Sequence, residues 1–304
     1  MTLSRDLQAF YTWMAVSRGL SERTATEYCR DIARFQRDTD TAHFDRIKTK
    51  KLRKRMSQWF TGLMQDGSNK PQSVHRKIAA LHAYCKWLVR EERLSENPVD
   101  AIERPKAEKR LPHCATLAQV DALLRTRVER RRPELELRDR AMVELMYGSG
   151  LRRAEVCGLN LSDVDFENRL LRVIGKGNKE RHVFLGEPAE AALQAYLATR
   201  PGVLPTDPLF LTIRGERMSV RQLWCVFRDI REAAGLPGVK PHTMRHSFAS
   251  HLIERGADLV TVKELLGHSN VATTNTYAHV SQAHMRKTFE ASHPRAKRDS
   301  AVMT

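Results

Sequence analysis

From position 152 onward, this 304-residue chain carries six residues of the types that phosphodiester chemistry needs: Arg152, Lys176, His242, Arg245, His268 and Tyr277. Such a reaction requires a nucleophile, a group to take its proton, a proton for the leaving oxygen, and donors for a crowded anionic transition state. Guanidinium suits the last task, because its planar fork pairs two donors with two phosphate oxygens and keeps its charge. In Pro241-His242-Thr243-Met244-Arg245-His246, His242 and Arg245 fall one turn apart on a helix face, so both can address one phosphate. His268 follows Leu265-Leu266-Gly267, where the glycine is a natural helix C′ residue, and Tyr277 comes after a further eight residues. Arg152 directly follows the turn Gly148-Ser149-Gly150-Leu151, with Glu155 three residues on, and Lys176 sits at a hairpin tip.

Taken singly, each residue has a duller use. A lone histidine is usually structural or exposed, and a tyrosine in an amphipathic helix is usually half in the core with its hydroxyl satisfied. Chain physics alone does not bring the six together, so the elements that carry them matter.

Residues 3 to about 95 read as helix throughout. One helix runs from Ser4 to about Val16, with Leu7, Phe10, Tyr11 and Met14 at helical steps. A second is capped at Ser21 and carries Ala25, Tyr28, Ile32 and Phe35 on one face. A third spans about Thr49 to Met64, and a fourth follows Pro71. The polar face of the fourth holds Arg76, Lys77, Lys86 and Arg90, a basic stripe suited to phosphate contacts. Residues 96–115 contain prolines and a Lys/Arg run, and read as an exposed basic linker between two domains.

The second domain opens at Thr116, whose Thr-Leu-Ala-Gln forms a capping box. Arg125 to Arg132 reads as an exposed basic loop, either adding phosphate contacts or simply solvated, and a helix follows from about Leu137 to Tyr147. Alternating runs at Leu170 to Ile174 and His182 to Leu185, joined through Gly175-Lys176-Gly177-Asn178, read as a β-hairpin. From Ala189 to about Glu290 the pattern is mostly helical. The expected fold is therefore mainly α, with one small antiparallel sheet.

Charge narrows the partners. Lys plus Arg number 52 against 36 Asp plus Glu, a net charge of +16 that favours a polyanion such as DNA, RNA or an acidic membrane surface. No apolar run approaches the roughly 18 residues that span a bilayer, and the N-terminus does not read as a secretory signal. The five cysteines are scattered and form no C-x-x-C pair, which argues against a disulfide framework or a zinc site and for a reducing cytoplasm. The sequence has no phosphate-binding G-x-x-x-x-G-K-[ST] loop and no tight Asp/Glu cluster, so neither a nucleotide nor a metal cofactor is expected.

The ordered series Gly-Leu-Arg152, Gly-Lys176-Gly-Asn-Lys-Glu-Arg, His242-x-x-Arg245, Leu-Leu-Gly-His268 and Tyr277 resembles the tyrosine recombinase (phage integrase) family. Spacing agrees with it, with two residues between His242 and Arg245, 22 between Arg245 and His268, and eight between His268 and Tyr277. The strings Arg138 to Gly150, Gly256-Ala257-Asp258 and His293 to Arg298 are most similar to the XerC branch of site-specific recombinases. The Arg-rich loop is more basic than that branch leads one to expect.

The resemblance implies an N-terminal helical-bundle, SAM-like DNA-binding domain at 1–95, the linker at 96–115, a mixed α/β catalytic domain at 116–290 and a tail at 291–304. It implies that Tyr277 attacks the scissile phosphate to form a 3′-phosphotyrosyl bond. Arg152 and Arg245 would clamp the non-bridging oxygens with help from His268, Lys176 would protonate the leaving 5′ oxygen, and His242 would take the tyrosine proton. Lys179 shares the hairpin turn, but the family aligns Lys176. Glu155 would orient these groups, while His246, His251 and His279 would be structural. Double-stranded DNA, a XerD-like partner in a cyclic heterotetramer, and an FtsK-type translocase are the implied partners. The segment Ser281 to about Ser292 would dock on a neighbouring protomer. Other readings are a phage, plasmid or integron integrase, a type IB topoisomerase-like enzyme, a metal-dependent nuclease and a catalytically inactive DNA-binding protein.

Overall fold

A computed structural model describes residues 4–67, 69, 71–103, 114–175, 179–200, 204–267 and 282–297. The chain divides into two compact units, Met1–Arg110 and Leu111–Thr304.

In the first unit, α1 (Arg5–Thr12), α2 (Glu22–Asp38), α3 (Thr49–Gln65) and α4 (Pro71–Arg90) surround an aromatic core. Ser4 and Ser21 cap α1 and α2 by accepting from the amides of Leu7 and Thr24. The first helix is shorter than its periodicity predicts, because the chain widens into a π turn over Trp13–Ser17. Phe10 packs edge-on to Tyr84 at 5.1 Å and Phe35 to Phe44 at 5.4 Å. Each such ring, fully buried, stabilises the fold by about 1.5–3 kcal/mol.

The basic stripe of α4 is only partly a stripe. Lys77 is buried and lies 3.6 Å from the Asp31 carboxylate, and Arg76 holds the same carboxylate at 2.5 Å. An ammonium on a buried face needs a counter-charge, and α2 supplies it. Lys86 and Arg90 remain exposed.

The second unit is built on α6 (Pro133–Gly148), which is buried continuously from Ala141 to Gly148. It packs against α8 (Glu187–Leu197), α9 (Val220–Ala233) and α10 (Pro241–Glu254). α5 (Leu117–Arg125) opens with the capping box of Thr116 and Gln119. α6 starts four residues before the predicted position, at a proline suited to the first turn of a helix. Its preceding loop is not simply solvated. Arg130 donates to Asp139 at 2.8 Å and to Asp229 at 2.9 Å, fastening the loop to α6 and α9.

A three-stranded antiparallel sheet, in the order β1 (Val164–Asp165), β2 (Leu170–Ile174), β3 (Glu180–Phe184), lies beside α7 (Arg153–Gly158). β3 begins two residues earlier than predicted, because pairing continues through Ile174 and Glu180 to a bond from the Gly175 amide to the Lys179 carbonyl at 2.8 Å.

α11 (Leu259–Leu266) ends at Gly267, whose φ of +61° is the left-handed cap expected of it. α12 (Gln282–Ser292) packs on α10 and α11 of its own chain. Phe289 of α12, and His293 and Ala296 just after it, are buried against this unit, and Arg295 pairs with the buried Glu144 of α6. Among the described residues, no helix is long and apolar enough to cross a membrane.

Candidate active site

Between α6 and α7 the backbone turns through Gly150 at φ +60°, where an added Cβ would lie 2.8 Å from the Phe248 ring. The turn delivers Arg152 to the start of α7. Glu155, three residues on, accepts the Arg152 amide at 2.8 Å and the Arg152 guanidinium at 2.7 Å. This carboxylate is almost wholly buried, with its side chain 4% exposed, whereas that of Arg152 is 37% exposed. The helix start thus fixes the base of Arg152 and leaves its head accessible.

Arg245 reaches the same carboxylate from α10. One guanidinium nitrogen donates to the Gly150 carbonyl at 2.6 Å and lies 3.9 Å from Glu155, and the other donates to the Leu266 carbonyl at the end of α11. Arg245 therefore joins the α6–α7 turn to the residue preceding Gly267. Arg181 of β3 completes the cluster, donating to both Glu155 oxygens at 2.9 and 3.0 Å.

Three guanidinium groups around one carboxylate leave a net positive charge in a largely enclosed setting, which is an anion site. Burial opposes the charge on Glu155, but the Arg181 hydrogen bonds and the surrounding cations outweigh it and hold the carboxyl below its usual range. Burial and the neighbouring Arg152 pull Arg245 down to about 10, so it stays cationic at neutral pH.

His242 stands partly exposed one turn before Arg245, with its ring 4.4 Å from that of His246 in an edge-on contact. Partial burial, then His246, Arg245, Arg152 and Arg153, push its pKa below that of an ordinary histidine and favour the neutral ring. His246 is thus an electrostatic neighbour of His242. His251 is structural, buried and hydrogen-bonded to the Tyr147 hydroxyl at 2.9 Å.

Arg152, His242 and Arg245 are brought together with Glu155; Lys176, His268 and Tyr277, like His279, lie outside the described residues. Arg181 closes the Gly-Lys-Gly-Asn-Lys-Glu-Arg string, but motif reading gave it no role. A signal was present: Arg181 shares a strand face with the buried Val183, and an arginine on an inward face needs a partner. Among the described residues, no group of three or more His, Cys, Asp or Glu side chains is placed to hold a metal.

The profile of the phage integrase family matches residues 115–284, and that of the phage integrase N-terminal SAM-like domain matches residues 7–92. The chain belongs to the phage integrase family. Its enzymatic class is tyrosine site-specific recombinase. The recombinase is 37% identical to tyrosine recombinase XerC of Pelobacter propionicus, over 97% of each chain. It is 35% identical to tyrosine recombinase XerD of Halalkalibacterium halodurans, over 97% of this chain and 99% of that protein. In fold it resembles the Tn1549 transposon integrase, solved in complex with circular intermediate DNA, at a TM-score of 0.69 and 21% identity, covering 93% of this chain and 99% of the other. A lambda integrase dimer bound to a core site gives the same TM-score and identity, covering 93% of this chain and 100% of that one.

Proposed function

We propose that this recombinase cuts and rejoins double-stranded DNA at a specific site through a covalent bond to Tyr277. In this reading the Tyr277 oxygen attacks the scissile phosphorus, its proton passes to His242, the bond to the 5′ oxygen breaks, and Lys176 protonates that oxygen. Arg152 and Arg245 hold the non-bridging oxygens, with a further hydrogen bond from His268. The bond energy is kept in the 3′-phosphotyrosine, so attack by a second 5′-hydroxyl reverses the step on a new strand. The supporting observation is the disposition of the two arginines: Arg245 is enclosed and pinned by backbone carbonyls, Arg152 is open, and both are set by Glu155 with His242 one turn away. Removing one such donor costs about a hundred- to a thousand-fold in rate.

Residues 1–95 would form the core-binding domain, 96–115 the linker, 116–290 the catalytic domain and 291–304 the tail. The relatives named XerC and XerD support pairing with a XerD-like recombinase; in this reading the chain is a cytoplasmic enzyme of the XerC branch and the pair forms a cyclic heterotetramer. In that role it would resolve chromosome dimers under an FtsK-type translocase.

A duplex nicked near the crossover tests the chemistry, because loss of the short strand traps the covalent adduct. Wild-type protein is expected to form it and Tyr277→Phe is not. No adduct with wild type, or one with the variant, defeats the proposal.

A further inference from the structure

Arg181 has no part in the chemistry above, yet its side chain lies where three segments of the site meet. Its two terminal nitrogens grip Glu155 fork to fork at 2.9 and 3.0 Å, and the side chain is 14% exposed. Toward the hairpin, a Cβ on Gly175 would lie 3.4 Å from the Arg181 Nη1. Toward α11, a Cβ on Gly267 would lie 2.7 Å from its Cδ. Gly175 immediately precedes Lys176 in the chain, and Gly267 immediately precedes His268.

Charge balance does not require Arg181. Glu155 already has Arg152 at 2.7 Å and Arg245 at 3.9 Å. What Arg181 adds is a rigid connection, since a bidentate guanidinium–carboxylate pair fixes orientation as well as distance. We propose that Arg181 is a positioning residue for strand cleavage, clamping the β2–β3 strands to Glu155 and so fixing Gly175, the residue before Lys176, relative to the Arg152–Arg245 pair. This rests on the reading in which Lys176 protonates the leaving oxygen.

The test uses the full chain with Arg181→Met, which keeps the stem and loses the fork, and Arg181→Lys, which keeps the charge as a single point. Each is assayed on a nicked duplex with an ordinary scissile phosphate and on one with sulfur at the 5′ bridging position, where a thiolate leaves without needing a proton. A misplaced proton donor is expected to slow adduct formation by Arg181→Met about 100-fold on the oxygen substrate. On the sulfur substrate most of that defect should disappear, with Arg181→Lys intermediate on oxygen. Without DNA, exchange of the Gly175 amide should quicken about tenfold or more in Arg181→Met, while the amides of α6 stay protected.

Equal defects on the two substrates, or unchanged exchange at Gly175, would overturn the proposal. Should Arg181→Met fail to fold, Arg181→Lys carries the same two comparisons. If wild-type protein forms no adduct on either substrate, the functional reading is what fails, and exchange at Gly175 decides the clamp by itself.

Discussion

Arg245 donates to the carbonyl of Gly150 at 2.6 Å, across 95 positions of sequence. The bond ties the helix that carries His242 to the turn that presents Arg152. It exists because Gly150 adopts φ +60°, with Phe248 packed where a side chain would begin. Gly150→Ala therefore strains the turn by about 1–2 kcal/mol and pushes against Phe248. A shift of about 1 Å in the carbonyl that seats Arg245 is expected to reduce single-turnover cleavage on the order of 100-fold. DNA binding should change little, and a gel-shift titration beside an adduct assay separates the two. Cleavage at the wild-type rate would mean that the Gly150 turn does not control the arginines.

His242 sets a second expectation. Its folded pKa lies below the ordinary 6.5, through burial first, then His246 and the Arg245, Arg152 and Arg153 guanidinium groups. A base must be neutral to act, so the acid limb of the cleavage rate should lie below the pH at which an ordinary histidine takes up its proton. Replacing His246 by Asn removes a repelling charge, raises the His242 pKa and moves the acid limb upward. Rates measured between about pH 5 and 8 check the direction. A limb that stays in place in the His246 variant would remove His246 from the electrostatics of the base.

The basic residues of α4 should separate by role. Lys86 and Arg90 are exposed, whereas Arg76 and Lys77 are committed to Asp31. Each phosphate contact contributes about 0.9 to the slope of log affinity against log salt. Lys86→Ala with Arg90→Ala should therefore flatten that slope by up to about 2 without lowering the melting temperature. Lys77→Ala should do the reverse, since it leaves a buried carboxylate with one partner fewer. If both substitutions act alike on the slope, the division is wrong.

Local signals in the sequence were accurate where local physics decides. The caps at Ser21 and Thr116 and the left-handed Gly267 are each set by the few residues around them, and the structure has all of them. The misreadings came from charge pairs between distant segments. Arg130 looked like part of a solvated loop because its partner Asp229 is 99 positions away. Lys77 looked like surface because Asp31 lies on another helix. The first helix appeared longer than its α segment because the chain continues as a π turn that still buries Met14 while altering the hydrogen bonds. At the site, the resemblance pointed to Arg152, His242, Arg245 and an orienting Glu155, but the hydrogen bonds by which Glu155 holds the arginines, and Arg181 as its fork partner, appear only once strand and helix are packed.

The carboxyl-terminal segment offers a stability test on two linked groups. Arg295 pairs with Glu144, whose carboxyl is driven up by burial and restrained by that arginine. Arg295→Ala leaves Glu144 without its counter-ion, at a cost on the order of 3 kcal/mol.

His293 lies between these groups and the core. Its ring packs on Tyr147, Phe248 and Phe289 at 5.1, 4.8 and 5.0 Å, and its Nδ1 accepts the Arg295 amide at 3.2 Å. Burial, with smaller contributions from His251, Arg295 and Arg255, pulls its pKa from 6.5 down to about 3. The folded state therefore holds the ring neutral while the unfolded chain takes up a proton below 6.5. That contribution is complete above pH 6.5 and is lost as pH falls from there toward 3. His293→Phe keeps the ring stack and removes the titration, along with an Nε2 that has no partner among the described residues. The variant should lose its amide acceptor at neutral pH, a small cost, but melt less steeply with acid than wild type between pH 6.5 and about 4. Parallel melting curves across that range would show that His293 is not held neutral, and that another group sets the acid sensitivity of this segment.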